Sequence, residues 1–89
     1  MYQVRPHHMQ QAKKLGLTIQ PSQKGNFKLD VYMGGKYLAS IGHIKYKDYV
    51  MYKEEKGEAY ADERKRLYHI RHQNDKGVKG FLSRVILWT

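Results

Sequence analysis

"FKLDVYMGGKYLASIG", residues 27–42, decides the fold. Phe27, Leu29, Val31 and Met33 alternate with Lys28, Asp30 and Tyr32, the period of a strand with one buried face. Gly34-Gly35 follows, then a second run from Lys36 to Ile41. Two adjacent glycines can both take positive φ, as the tight two-residue turn of a hairpin demands. Such a turn fixes the register: Met33 opposite Lys36, Tyr32 opposite Tyr37, Val31 opposite Leu38. Phe27, Leu29, Val31 and Leu38 then share the face turned to the helices. Tyr32 and Tyr37 share the other face, with Lys28 and Ile41 beyond them.

On the N-terminal side, residues 1–26 carry four basic side chains and no acidic one, together with both prolines, Pro6 and Pro21. Residues 8–15 read either as a short helix ended by Gly16 or as part of a flexible basic arm, since short isolated helices are marginal. Leu17-Thr18-Ile19 alternates and adds a possible edge strand, and "PSQKGN" is a loop.

On the C-terminal side the period changes. Asp48 is an N-cap for a helix over 48–56, with Gly57 at its end. Tyr46, Tyr49, Val50 and Tyr52 share one side of it. A longer helix runs over 58–72. Its early carboxylates Glu58, Asp62 and Glu63, and its late Arg71 and His72, both suit the helix dipole. Tyr60, Leu67 and Ile70 form its buried stripe. "QNDKGVKG" is a loop, and 81–88 is a last helix with Phe81, Val85 and Trp88 on one side. The expected fold class is α+β: a β-hairpin, or a three-stranded sheet, packed against two or three short helices. Residues 1–26 form an arm or helix with an edge strand, and 27–89 form the α+β domain. The expected core is Leu29, Val31, Leu38, Ile41, Val50, Leu67, Ile70, Phe81, Val85 and Trp88.

An 89-residue chain is one domain with a small core and modest stability. It has no cysteine, so neither a disulfide nor a thiolate metal site reinforces it. Lysine and arginine number 17 against 8 acids, a net charge of +9 that favours anionic partners. The longest apolar run, Val85-Ile86-Leu87-Trp88, is far short of a membrane span. The first residues, "MYQVRPHHMQQ", lack the apolar stretch of a signal peptide. A soluble protein that is not secreted is expected.

"RKRLYHIRH", residues 64–72, concentrates the charge. With Leu67 and Ile70 turned inward, Lys65, His69 and His72 lie together on an outward face. Arg64, Tyr68 and Arg71 flank them. Interleaved arginine, lysine and tyrosine supply phosphate contacts and a stacking group. The alternative is an ordinary solvated helix face; the overall charge and the acid-free N-terminal segment favour an anion-binding surface. Arg5, Lys13 and Lys14 extend it along a nucleic-acid backbone. Tyr46, Tyr49, Tyr52 and Trp88 are read as a protein interface, with base stacking as the alternative. Eight tyrosines and the apolar "VILW" end supply the contacts.

His69 and His72 lie at helical spacing, but no third ligand accompanies them, so no metal is expected. Ser22, Ser40 and Ser83 lack a nucleophile context. Asp30, Asp48, Asp62 and Asp75 read as caps and charge pairs, and Gly34-Gly35 is a turn. No enzyme and no cofactor are expected. Helix-turn-helix, zinc-finger, RRM and KH signatures are absent from the sequence.

The order "KLDVYMGGKYLASIG", "YKDYVMYKEEKGEAYADERKRLYHIRH", "GFLSRVILW" resembles a family of short, basic, uncharacterised proteins encoded by large double-stranded DNA viruses of eukaryotes. The resemblance spans residues 27–88. It falls on Asp48, Tyr49, Arg64, Tyr68, Arg71, His72, Gly80, Phe81, Ser83, Leu87 and Trp88. Relatives of that kind often continue past the tryptophan, and this chain carries its own basic N-terminal segment. The resemblance implies a viral origin and a place in the virion or the infected-cell interior. The expected function is sequence-independent nucleic-acid binding, to DNA in preference to RNA. The alternatives are a minor capsid or cement-type protein against an acidic capsid surface, or a regulator that binds an acidic host protein.

Overall fold

The computed structural model describes residues 2–74 and 76–89. Asp75, expected to act as a cap or charge partner, lies outside the described residues. The element order is α1 (Pro6–Lys14), β1 (Thr18–Pro21), β2 (Phe27–Met33), β3 (Lys36–His43), α2 (Tyr49–Lys56), α3 (Glu58–Arg71) and α4 (Val78–Leu82), which runs into a π-helical turn, Ser83–Leu87. The class is α+β, as expected.

Phe27–Met33 and Lys36–His43 form the hairpin, and Gly34 and Gly35 both take positive φ, +56° and +79°. The register begins as expected, with Met33 opposite Lys36 and Tyr32 opposite Tyr37. It then slips. Val31 faces Ala39 rather than Leu38, and Leu29 faces Ile41. Leu38 is the extra residue of a β-bulge, and every later side chain of β3 changes face. Ile41 is fully buried with Leu29 and Val31, as the expected core has it, although the unslipped register would place it on the tyrosine face. Ser40 takes the tyrosine side, where it donates to Asp30 and meets the Tyr37 hydroxyl at 2.7 Å.

β1 completes an antiparallel sheet of order β1-β2-β3, with Ile19 opposite Val31. The strand starts one residue later than expected and extends to Pro21. Pro21 is tolerated because the strand is at the sheet edge.

The N-terminal segment is a helix rather than a trailing arm. Pro6 stands at N1, where its missing N–H costs nothing. The helix ends in a Schellman motif: Leu17 N–H donates to the Ala12 carbonyl (2.9 Å), and Gly16 N–H to that of Lys13 (3.0 Å). His8 and Ala12, one turn apart, face the core with Tyr2 and Leu17. Residues 2–26 therefore contribute to the same core as the sheet and the C-terminal helical turns.

The core is Tyr2, Ala12, Leu17, Leu29, Val31, Ile41, Leu82, Ile86 and Leu87. Val85, Trp88 and Leu38 are half-buried against it. Two expected core residues are misplaced: Ile70 is 50 % exposed and Phe81 46 %. Val50 and Leu67 are only half-buried. The π-helical turn explains the C-terminal error. Trp88 N–H donates five residues back to Ser83 (3.2 Å), which widens the turn and rotates Leu82, Ile86 and Leu87 inward.

Gly42 permits a close approach of β3 to the C-terminal turn. Its φ is +74°, and a β-carbon there would stand 2.7 Å from Leu87 Cδ1 and 3.1 Å from Lys28 Cδ. Gly35 also has positive φ, but open space surrounds it. Gly35→Ala should therefore cost about 1–2 kcal/mol from backbone strain alone. Gly42→Ala should cost roughly 1–3 kcal/mol more, the overpacking penalty. Urea unfolding of the two variants side by side checks this, and equal losses would contradict the packing at Leu87.

Candidate nucleic-acid interface

α2 begins at Asp48, whose Oδ1 accepts from the Met51 N–H at 3.0 Å. The other oxygen, Oδ2, accepts from the Tyr2 hydroxyl and from Lys28 Nζ, the latter at 3.1 Å. Lys28 and Asp48 side chains are 3 % and 1 % exposed, so the ion pair is dry. Burial lowers the Lys28 pKa and the Asp48 charge opposes that fall. Burial, with the Asp48 hydrogen bond adding to it, raises the Tyr2 phenol far above its usual value. Lys28, expected on the outer face of the hairpin, is thus a buried strut.

α2 and α3 form a helical hairpin about Gly57, whose φ of +89° ends one helix and starts the next. α3 turns the fully buried Ala61 inward, and its small side chain lets the helices approach. This sets the phase. Ala61, Arg64, Lys65, Tyr68 and His72 fall along one flank, one or two helical turns apart. The expected stripe of Tyr60, Leu67 and Ile70 is displaced: Tyr60 and Ile70 are exposed. Lys65, His69 and His72 do not share an outward face. Lys65 Nζ sits 4.4 Å over the Tyr49 ring, and His69 Nε2–H donates to the Trp88 carbonyl at 2.9 Å. His72 stacks on Tyr68, with ring centroids 4.3 Å apart.

Tyr68 also stacks on Trp88, nearly parallel at 6° and 4.4 Å. The result is a three-ring column of Trp88, Tyr68 and His72. Tyr52 stands at its edge, 6.2 Å from Trp88. The column forms one wall of a cleft of about 760 Å³ between α3, the end of the hairpin and the C-terminal turn. Phe27, Gly42, His43 and Lys47 also line it, with the exposed Tyr46 at its rim and the buried Lys28, Asp48 and Leu87 deepest. Arg64, Arg71, Lys79, Gly80 and Ser83 complete the lining.

Charge in this cleft is one-sided. Among the described residues its single lining carboxylate is Asp48, which is neutralised by Lys28. Lys47 is held by Glu55. Arg64, Arg71 and Lys79 make no ion pair among the described residues. Arg64 lies 5.3 Å over Tyr52, and Lys79 3.9 Å over Phe27, so aromatic faces orient both cations.

Of the expected nucleic-acid residues, the fold brings Arg64, Tyr68, Arg71 and His72 into this cleft. Lys65 and His69 are engaged beside it. Arg5 is clamped on Glu54 at 2.9 Å and donates to the Gln3 carbonyl. Lys13 and Lys14 lie in the last turn of α1, away from the cleft. Of the expected interface residues, Tyr46, Tyr52 and Trp88 line the same cleft, whereas Tyr49 is buried and donates to Asp62 at 2.8 Å. That bond and burial push its phenol up to about 12. Phe27, His43, Lys47 and Lys79 are cleft residues that the sequence does not flag. Each comes from a different element, and no spacing rule joins them. Among the described residues no group of three or more His, Asp or Glu side chains could hold a metal ion. No helix among them is long and apolar enough to cross a membrane.

Comparison with known protein families, curated proteins and solved structures finds no match to this chain.

Behind Tyr2 lies His8, fully buried, its ring 5.9 Å from that of Tyr2. Its Nδ1 accepts from the Arg5 N–H, and its Nε2 has no partner among the described residues. Burial lowers its pKa from 6.5 to about 4; Asp48 opposes the shift, and His7, Arg5 and Lys28 add to it. The folded state therefore resists a proton that the unfolded chain accepts. The His8 contribution is intact above pH 6.5 and is lost as pH falls toward 4, up to about 3 kcal/mol. His8→Asn keeps an acceptor for Arg5 and should flatten this part of the pH–stability curve in chemical unfolding. An unchanged slope would assign the acid sensitivity elsewhere.

Proposed function

We propose that this chain is a non-enzymatic nucleic-acid-binding protein. The supporting observation is the cleft itself, where Arg64, Arg71 and Lys79 accompany a stacked aromatic wall and the only carboxylate among the described lining residues is neutralised. Cations in such a site neutralise phosphates and release counterions, while ring faces meet bases of any identity. Binding is accordingly largely independent of sequence, and DNA is the preferred polyanion. The resemblance to short basic proteins of large DNA viruses supports a viral context. Nine of the residues that carry it line the cleft: Asp48, Arg64, Tyr68, Arg71, His72, Gly80, Ser83, Leu87 and Trp88.

A minor capsid role is the second reading, favoured by the exposed apolar side chains Ile70, Val78 and Phe81 on α3 and α4. Proteomics of purified particles, with Val78→Ser and Phe81→Ser variants scored for incorporation, separates it from the first.

Salt dependence tests the first reading. Affinity for an oligonucleotide should fall steeply between roughly 50 and 200 mM salt, with a logarithmic slope of about −2 to −3 for three phosphates. Arg64→Ala and Arg71→Ala should each reduce that slope by about 1. A flat response, or no binding at low salt, would remove this reading.

A further inference from the structure

Resting on the nucleic-acid reading, we infer that the cleft takes a single-stranded segment of one or two nucleotides with its bases inserted, and discriminates against duplex. A protein that grips duplex through phosphates alone needs cations on an open surface. Here the cations ring a concavity of about 760 Å³ with aromatic walls, within the range of sites that enclose a small organic ligand. Bases in a duplex have both faces stacked on neighbours, so their rings cannot reach such walls. An unpaired base can.

The aromatic wall is held in place before any ligand arrives. Trp88 is fixed by Ser83 through its N–H, by His69 through its carbonyl and by Tyr68 across its ring. Little side-chain freedom is lost when a base stacks against it. At the rim, Tyr46 is 71 % exposed and leans on His43 with ring centroids 5.2 Å apart. It offers a second stacking surface outside the core. Arg64 and Lys79 both line the cleft, oriented by Tyr52 and Phe27, where a phosphate beside the stacked base would meet them.

Trp88 is the sole tryptophan, so its fluorescence reports on the cleft directly. The intact chain would be titrated with oligothymidylate and with a self-complementary duplex at low salt. Single strands should quench Trp88 and bind at least about tenfold tighter than duplex, and a thymidine dinucleotide should quench it as well. Tyr46→Ala lies outside the core and should weaken single-strand binding about tenfold, the loss of one stacked base, with duplex binding unchanged. Trp88→Phe keeps a ring against Tyr68 and should retain most of the affinity, read by fluorescence anisotropy of a labelled oligonucleotide because the variant has no tryptophan. Duplex binding equal to single-strand binding, with Tyr46→Ala inert and the salt slope intact, would overturn this inference and leave the nucleic-acid reading standing. No binding of either form at low salt would overturn both.

Discussion

The carboxylate of Asp48 is the point on which three parts of the chain converge. One oxygen caps α2 and the other receives the Tyr2 phenol and the Lys28 ammonium. The N-terminal segment, the central strand and the helical hairpin are tied at one group. A buried ion pair gains little over an apolar contact, but losing one partner strands the other charge in a dry environment. The arrangement therefore specifies geometry more than it adds stability. In a chain this small, with half of its core supplied by short elements, that constraint determines where α2 starts and hence where α3 lies.

From that constraint the cleft follows. With α2 fixed at Asp48 and turned back at Gly57, Ala61 meets α2 and α3 presents Arg64, Tyr68 and His72 toward the C-terminal turn. The π-helical turn then delivers Trp88 onto Tyr68. Lys28 spends its charge on Asp48, so the floor is neutral and the excess positive charge sits on the walls. A neutral floor with cationic, aromatic walls favours a ligand with flat rings and negative charge together, as nucleotides have.

Much of the scaffold was legible in the residues. Alternation around Gly34-Gly35 gave the hairpin, Asp48 and Gly57 bounded α2, and the acidic start of α3 marked the next helix. The bulge at Leu38 was not legible, because "YLAS" alternates no better in one register than in the other. That single slip puts Ile41 on the face of Leu29, which reconciles its place in the expected core with the strand pairing. The face of α3 was misread for a related reason. The helix has only Leu67 and Ile70 as aliphatic anchors, and hydrophobic pattern gave them the interior. The buried position went to Ala61 instead, while Tyr68 stacks between Trp88 and His72.

The sequence by itself determined the α+β class, the hairpin turn at Gly34-Gly35, the break at Gly57 and the excess of positive charge, because these depend on local backbone preference and on composition. It placed the start of the last helix at 81, whereas α4 begins at Val78. It also flagged Arg64, Lys65, Tyr68, His69, Arg71 and His72 as a group, since they share one helix. Only the tertiary structure decided that Arg64, Tyr68, Arg71 and His72 line one cleft, that Tyr46, Tyr52 and Trp88 join them, and that Phe27 and Lys79 complete its lining. Those pairings link residues far apart in the chain, and they arise from helix phase and a buried ion pair that local preference does not encode.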